Sequence, residues 1–449
     1  MSTTSRPHDA RYLLMGFSRG ILDHWSGWAA PGSVVVIEEP DVCRKKRVED
    51  AVRGYPIVSD VVQLRYLQCD DVLEPAARLH RRHGFAAVVP GVEYSVVAAA
   101  AVAAAVGLPG AGVAAANALR DKIRLRELTT AGGMAAPAWR EVHGPDDVRA
   151  FLRDGRCVLK PANRQASLGV RLLDPGADVE AAWRATVGAD EPRQLPDRPL
   201  SWRYLVERRM TGSEFSVEAL VRDGRVVFEN VTRKSVLAGS HPVECGHTVP
   251  AALPDADRRR FGTAIRQLVS AIGFGTGLLH AEWFDTPEGL VLVECAGRAP
   301  GDRILELIDL AYHVRLVHAM TDLLAGRDVR LPGRASRSAA IRFLGAPAGT
   351  VSLVSGVEEV RARPEVVDVS VAVRPGDEVR SWQSSWDRIG HVIATEGTPG
   401  RAAAAARRAA AAVRVCSVRG PGAGEQAGGP GGRPPAPGTA EAAPAFNGR

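Results

Sequence analysis

Cysteine is sparse and scattered: the six residues 43, 69, 157, 245, 295 and 416 contain no C-x-x-C pair. That spacing excludes a zinc ribbon and a dense disulfide framework, and leaves buried reduced thiols as the expectation. Lysine is scarcer still. Of 57 basic residues only five are lysines, at 45, 46, 122, 160 and 234, and the rest are arginines. An ammonium is a compact charge suited to one phosphate oxygen, so lysines kept against this bias are candidate phosphate ligands. No apolar run reaches eighteen residues, the longest candidate being the short, alanine-rich Val96 to Leu108. With no basic and apolar leader in MSTTSRPHDARYLLMGF, a cytoplasmic chain without a membrane partner is expected. The formal charge of +6 is spread over scattered arginines, and only residues 44–47 form a compact basic run. A solvated loop accounts for that run, so a nucleic-acid partner is not expected. G-x-x-x-x-G-K-[ST] is also missing, so any ATP would need a cradle other than a P-loop.

What is present is the composition of a globular protein: 45% hydrophobic and 24% charged residues over 449 positions, enough for about three domains. Tyr12 to Met15, Val34 to Ile37 and Phe85 to Val89 read as buried strands separated by helical stretches. Residues 1–110 are therefore expected to form a small parallel α/β domain, closed by a helix from Ser95 to Val106. From 111 to 333 the pattern turns to helix, strand and hairpins, with Asp223-Gly224 and Pro287 to Gly289 as turn signals, which predicts largely antiparallel sheets. Residues 334–416 show short strands at 339–344, 350–354, 366–373 and 391–394 and a helix at 401–413, a smaller α+β domain. Residues 417–449 are Gly, Pro and Ala without periodicity, and a disordered tail is expected.

Two motifs are set aside. Gly16-Phe17-Ser18-Arg19-Gly20 matches G-x-S-x-G, but only a dozen residues precede it, too few for the earlier strands that a hydrolase nucleophile elbow requires. Gly110-Ala111-Gly112-Val113-Ala114-Ala115 matches a dinucleotide pattern, yet a helix precedes it where a strand is needed.

The chemistry gathers elsewhere. In the hairpin from Leu278 to Arg298, pairing centred on residue 288 sets Glu282 opposite Glu294. Facing like charges are destabilising unless a hard cation such as magnesium lies between them or one is protonated; the alternative is two solvated glutamates. Cys157 to Pro161 reads as a buried strand carrying Lys160, followed by a polar loop from Ala162 to Gly169 whose Ser167 and backbone could contact phosphates. Asp121-Lys122 opens a helix, and Tyr204 to Glu218 supplies strand, turn and strand against which an adenine could lie.

DK, LKP with its Ser/Gly loop, YLVERRMTGSEFSVE and AE…VECAGR resemble, in order and spacing, the ATP-grasp superfamily. GTVSLVSGVEEVRARPEVVDVSVAVRPGDEV followed by SSWDRIGHVIA resembles the C-terminal module of the L-amino acid ligases within it, as does the segment ending Gly246-His247-Thr248-Val249-Pro250. The resemblance spans residues 10–415 and implies a Rossmann-like first domain, an ATP-grasp domain and a small α+β C-terminal domain. It implies that Lys122, Lys160, Ser167 and Gly169 meet ATP phosphates, that Glu207 and the Leu205-Val206 backbone hold adenine, and that Glu214 binds ribose. Glu282 and Glu294 would hold Mg2+, with Mn2+ an admissible substitute, and Arg298 would stabilise the transferring phosphoryl group. Lys234, His247 and Asp302 are expected to line an amino-acid pocket. Many relatives carry E-x-N-x-R where this chain has Ala296, so the number of metal ions stays open.

The implied reaction joins a carboxylate to an amine through an acyl phosphate, giving ADP, phosphate and an amide, plausibly a dipeptide. The partners would be small molecules, amino acids foremost, and a homodimer is an admissible assembly. The alternatives are ligation of a non-amino-acid acid or amine, or a non-catalytic nucleotide-binding regulator.

Overall fold

The structure, a computed structural model, describes residues 11–237, 243–382 and 384–418. Four strands, three of them nearly all apolar, come first: β1 Arg11–Met15, β2 Val34–Glu38, the more polar β3 Val58–Gln63 and β4 Phe85–Pro90. They form a parallel sheet in the order β3-β2-β1-β4, with β1 and β2 buried on both faces as crossover helices demand. This is the expected first domain, closed by the helix Val96–Ala105. Ser18 of the rejected elbow motif caps the helix Arg19–Trp25, its Oγ accepting from Ile21 N at 3.4 Å. The basic run 44–47 corrects an expectation: it forms the end of the helix Pro40–Lys46 rather than a loop, with Lys45 and Arg44 paired to Asp197.

A second sheet holds β5 Trp139–Val142, β6 Cys157–Pro161, β7 Arg171–Leu173 and β8 Tyr204–Arg208 in the antiparallel order β5-β8-β6-β7. Between β7 and β8, after the helix Val179–Val187, residues 190–203 run without regular structure back across the first domain. Leu195 from this strap enters that domain's core beside Leu13, Met15 and Tyr66.

The largest sheet starts with β9 Ser213–Arg222, β10 Arg225–Val236, β11 Glu244–Val249, β12 Gly277–Thr286 and β13 Gly289–Ala296. The last stretch adds β14 Ser338–Leu344, β15 Gly349–Ser355, β16 Val366–Val371, β17 Glu378–Val379, β18 Gly390–Glu396 and β19 Arg414–Val418. Here the third unit differs from the sequence expectation. β14, β18 and β16 continue the same sheet, in the antiparallel order β13-β12-β9-β10-β11-β14-β18-β16, and only β17-β15-β19 form a sheet of their own. Strand alternation announces a strand but not its partner, so the join of β11 to β14 was not readable locally. Ser417 and Val418, expected in the tail, complete β19, and the rest of that tail lies outside the described residues.

The helices Ile304–Tyr312 and Leu316–Leu324 pack between the first domain and the large sheet, sharing one apolar core with Tyr12, Trp25, Leu278 and Ile341. The first domain is thereby fixed against the sheet face that carries the polar residues described next.

Candidate active site

The β12–β13 hairpin turns at Pro287-Glu288, between the paired Thr286 and Gly289. Continued straight, that turn would pair Glu282 with Val293 and send Glu294 to the opposite face, since side chains alternate. A bulge between Glu282 and Trp283 takes up Val293 instead and restores the expected Glu282–Glu294 pair. The same alternation sets a polar strip on one face of neighbouring strands: Glu214, Ser216 and Glu218 on β9, Asn230, Thr232 and Lys234 on β10, His247 on β11 and His280 beside Glu282 on β12.

This strip is one hydrogen-bonded network. Glu218, wholly buried, accepts from Ser216 at 2.7 Å, Thr232 at 2.6 Å and Asn230 at 2.8 Å, and faces His280 Nδ1 at 3.0 Å. His280 Nε2 lies 3.2 Å from Glu282. Burial opposes a charge on the His280 ring, but the bonds to Glu218 and Glu282 outweigh it and raise its pKa to about 9. Lys234 Nζ, also buried, sits 2.8 Å from Glu282 and 3.1 Å from Glu244. Desolvation resists the Lys234 charge, yet Glu282, Glu244 and Glu214 hold it firmly protonated. Glu282 in turn is depressed far below its usual range, burial notwithstanding, by Lys234 and His280.

On the other side of the hairpin, Asp121 caps the helix Lys122–Ala131 by accepting from Ile123 N at 2.9 Å. The cap presents Lys122 at the first helical position, 3.0 Å from Glu294 Oε2. Lys160 on β6 meets Glu207 on β8 at 2.5 Å, and Arg126 Nε reaches the same carboxylate at 2.7 Å. Burial would raise the Glu207 carboxyl, but Lys160 and Arg126 bring it down to about 2. These side chains border a cavity of about 440 Å³ that also takes in Ser167, Met210 and Glu214.

Two expectations are corrected here. Leu205 and Val206 are fully buried and lie off the cavity wall, because both sides of β8 are taken by β5 and β6; the chain borders the cavity only from Glu207 to Gly212. Gly169 is off the wall as well. Its φ of +72° and close neighbours Thr186 O and Pro161 Cγ make it a packing glycine behind the loop, its carbonyl accepting from Thr186 Oγ1 at 2.8 Å. Ser167 does border the cavity, with Ala166 and Ser167 both at positive φ.

A second cavity, of about 540 Å³, shares its wall with the first at Lys122, Ser167, Lys234, Glu282 and Glu294. Arg298, His247 and Asp302 border it. His247 Nε2 lies 3.0 Å from Asp302, whose other oxygen accepts from Arg388 at 2.6 Å, and Arg388 continues to Glu244 at 3.1 Å. Arg298 Nε donates to Glu93 at 2.6 Å, and Arg120 pairs with the same carboxylate. Burial pushes the Glu93 carboxyl up, but Arg120 and Arg298 prevail and hold it at about 2.

Sequence reasoning missed Glu93, Arg126, Glu218, Glu244, His280 and Arg388. Glu218 and His280 were signalled by their even spacing from Glu214 and Glu282. Glu93 and Arg388 carried no local signal, since their partners lie 205 and 86 positions away.

Two facing carboxylates at the junction of two cavities, each already balanced by a lysine, fit a magnesium ion, which takes one or two carboxylates and fills its octahedron with phosphate and water oxygens. Among the described residues no third acidic or histidine ligand completes a protein-only cage. Ala296, opposite His280, supplies none.

Residues 154–306 match the model of the ATP-grasp domain, and residues 342–416 that of the L-amino acid ligase C-terminal domain 2. The uncharacterized protein y4rH of Sinorhizobium fredii (strain NBRC 101917 / NGR234) is 26% identical over 349 residues, 77% of this chain and 70% of that protein. Alanine–anticapsin ligase of Bacillus subtilis is 23% identical over 282 residues, 59% of either chain, so the match spans about three fifths of that relative. The fold is that of an L-amino acid ligase from Bacillus licheniformis, with a TM-score of 0.72 at 18% identity, covering 92% of this chain and 100% of the other.

Proposed function

The chain is an ATP-grasp ligase carrying the C-terminal domain of the L-amino acid ligases, and from that premise we propose that it joins an amino acid's carboxylate to an amine through an acyl phosphate. The observation that carries this reading is the Glu282–Glu294 pair on the wall common to both cavities, where a nucleotide's terminal phosphate and an acid would meet. ATP occupies the first cavity, its adenine beside Glu207 and the Arg209–Gly212 segment and its ribose at Glu214. Lys122, Lys160 and Ser167 lie along the phosphates. Glu282 and Glu294 would hold magnesium, which would neutralise charge on the phosphate oxygens.

The acid's carboxylate oxygen attacks the γ-phosphorus, and the bond to ADP breaks. The amine nitrogen then attacks the acyl carbon, phosphate departs, and the nitrogen gives up a proton. Arg298, fixed by Glu93, faces the oxygen on which charge develops in both steps.

The test is ADP release and mass detection of amide products with a mixed amino-acid pool, for the wild type and Glu294→Ala. Amine-dependent ADP formation in the wild type, reduced by about a thousand-fold or more in a variant that still folds, is expected for loss of a metal ligand at the reacting phosphate. Undiminished turnover would remove Glu294 from the metal site. Absence of amine-dependent ADP formation with any pool would favour the nucleotide-binding regulator, and products lacking amino acids would favour the other ligases.

A further inference from the structure

Arg164 lies in the loop after β6 and borders both cavities at their shared wall. Each other lysine or arginine on those walls has a carboxylate within 4.0 Å: Lys122 has Glu294, Lys160 and Arg126 share Glu207, Lys234 has Glu282, Arg298 has Glu93 and Arg388 has Asp302, while Arg208 and Arg209 face Asp154 and Asp174. Arg164 has none. Its side chain makes no ion pair or hydrogen bond among the described residues, it is only 8% exposed, and its Nη1 is sealed from solvent without a partner. The guanidinium instead lies flat over the ring of Trp202, 3.7 Å from its centre. Trp202 and Leu200 belong to the strap and pack against the core of the first domain, so the position is fixed from outside the loop. The Arg164 carbonyl also accepts from Lys122 Nζ at 3.1 Å, which ties the residue to the cation facing Glu294.

A guanidinium taken out of water without a counter-charge costs several kcal/mol, more than stacking on one indole returns. An anion brought to the shared wall removes that cost, and the planar fork suits two oxygens of one phosphoryl group. We propose that Arg164 is a third cationic ligand of the nucleotide and binds its terminal phosphate, held in readiness by Trp202. This deepens the ligase reading and rests on its nucleotide site. A carboxylate of the acid substrate offers the same two-oxygen chemistry, so the experiment separates the two.

Calorimetry on the full chain with magnesium compares β,γ-methylene-ATP and ADP for the wild type, Arg164→Met and Arg164→Lys. Losing charge-assisted bonds to the terminal phosphate weakens the ATP analogue by about 10- to 100-fold in Arg164→Met and leaves ADP within about 3-fold, with Arg164→Lys in between. Equal affinity of the wild type and Arg164→Met for the analogue overturns the assignment, as does an equal loss for ADP, or a loss confined to the KM of the acid. A wild type that binds neither nucleotide overturns the nucleotide site and the assignment with it. Ligand-free melting supplies a readout that a structural role would move the other way. Because the cation has no partner, Arg164→Met melts no lower than the wild type, and a fall of more than a few degrees would make Arg164 a packing residue instead.

Discussion

At the scale of single residues, every lysine and arginine on the two cavity walls other than Arg164 lies against a carboxylate. Glu93 shows the consequence most clearly, since it alone serves Arg298 and Arg120 from another domain. Glu93→Gln leaves two guanidinium groups against a neutral amide in a buried place. A loss of about 2–4 kcal/mol in urea unfolding is expected, together with a fall in kcat larger than any change in the KM for ATP. Unchanged stability in that variant would deny the pair its structural part. Residues of this kind explain why the site was only partly legible in the sequence. Glu282 and Glu294 could be matched because a hairpin is a local object, although the observed pair depends on the bulge that takes up Val293. The rare lysines stood out against a chain of arginines, and Lys122, Lys160 and Lys234 all border the first cavity. Glu93 looked like any acidic residue before a helix, since an ion pair across 205 positions leaves no trace in local spacing. Leu205 and Val206 failed for the opposite reason: strand residues next to a ligand-facing one are the most buried of all.

Among the elements, β11 has the most demanding role, because it joins the nucleotide-binding sheet to the C-terminal strands. Gly246, part of the Gly-His-x-x-Pro segment, lies opposite Arg342, and a Cβ added there would stand 2.5 Å from the carbonyl oxygen of Ile341. That neighbour is backbone within a strand and cannot swing aside. Gly246→Val is expected to destabilise the protein by about 2–4 kcal/mol, read from thermal or urea unfolding, and to raise the KM for the amine as His247 shifts. Stability within about 0.5 kcal/mol of the wild type would mean that the β11–β14 pairing is looser than described. The glycine was readable as a motif position, whereas its steric reason became visible only once β14 was known to be the neighbour. The same holds for the eight-stranded sheet as a whole: its strands were readable one by one, and their order was not.

Taken as a whole, the molecule is held together at the seam where the helix Arg19–Trp25 of the first domain meets the helices Ile304–Tyr312 and Leu316–Leu324. Asp309 lies in that seam, 3.8 Å from His24 and near Glu306 and Arg315. Burial raises the Asp309 carboxyl to about 7 from an ordinary 3.8, against the opposing pull of Leu316 N and Arg315. A carboxyl raised on folding contributes stability that is complete below about pH 4 and is lost as the pH climbs through 7. Asp309→Asn is therefore expected to be more stable than the wild type at pH 8, by on the order of 1–3 kcal/mol, and to lose that advantage as the pH falls to about 4. Comparing the variant with the wild type at each pH cancels the opposite titration of His24, and a gain independent of pH would contradict the assignment. The continuous sheet bears on how such proteins could be recombined. β14 and β18 lie over the helix Pro399–Ala412 through a buried contact of Ala340, Ala394, Ala402, Ala405 and Ala406. Grafting the C-terminal piece of a relative onto this chain would then be a problem of splicing one fabric rather than exchanging a bead on a string: the graft must match β11 in register and bring its own alanine seam, or selectivity and folding would be lost together.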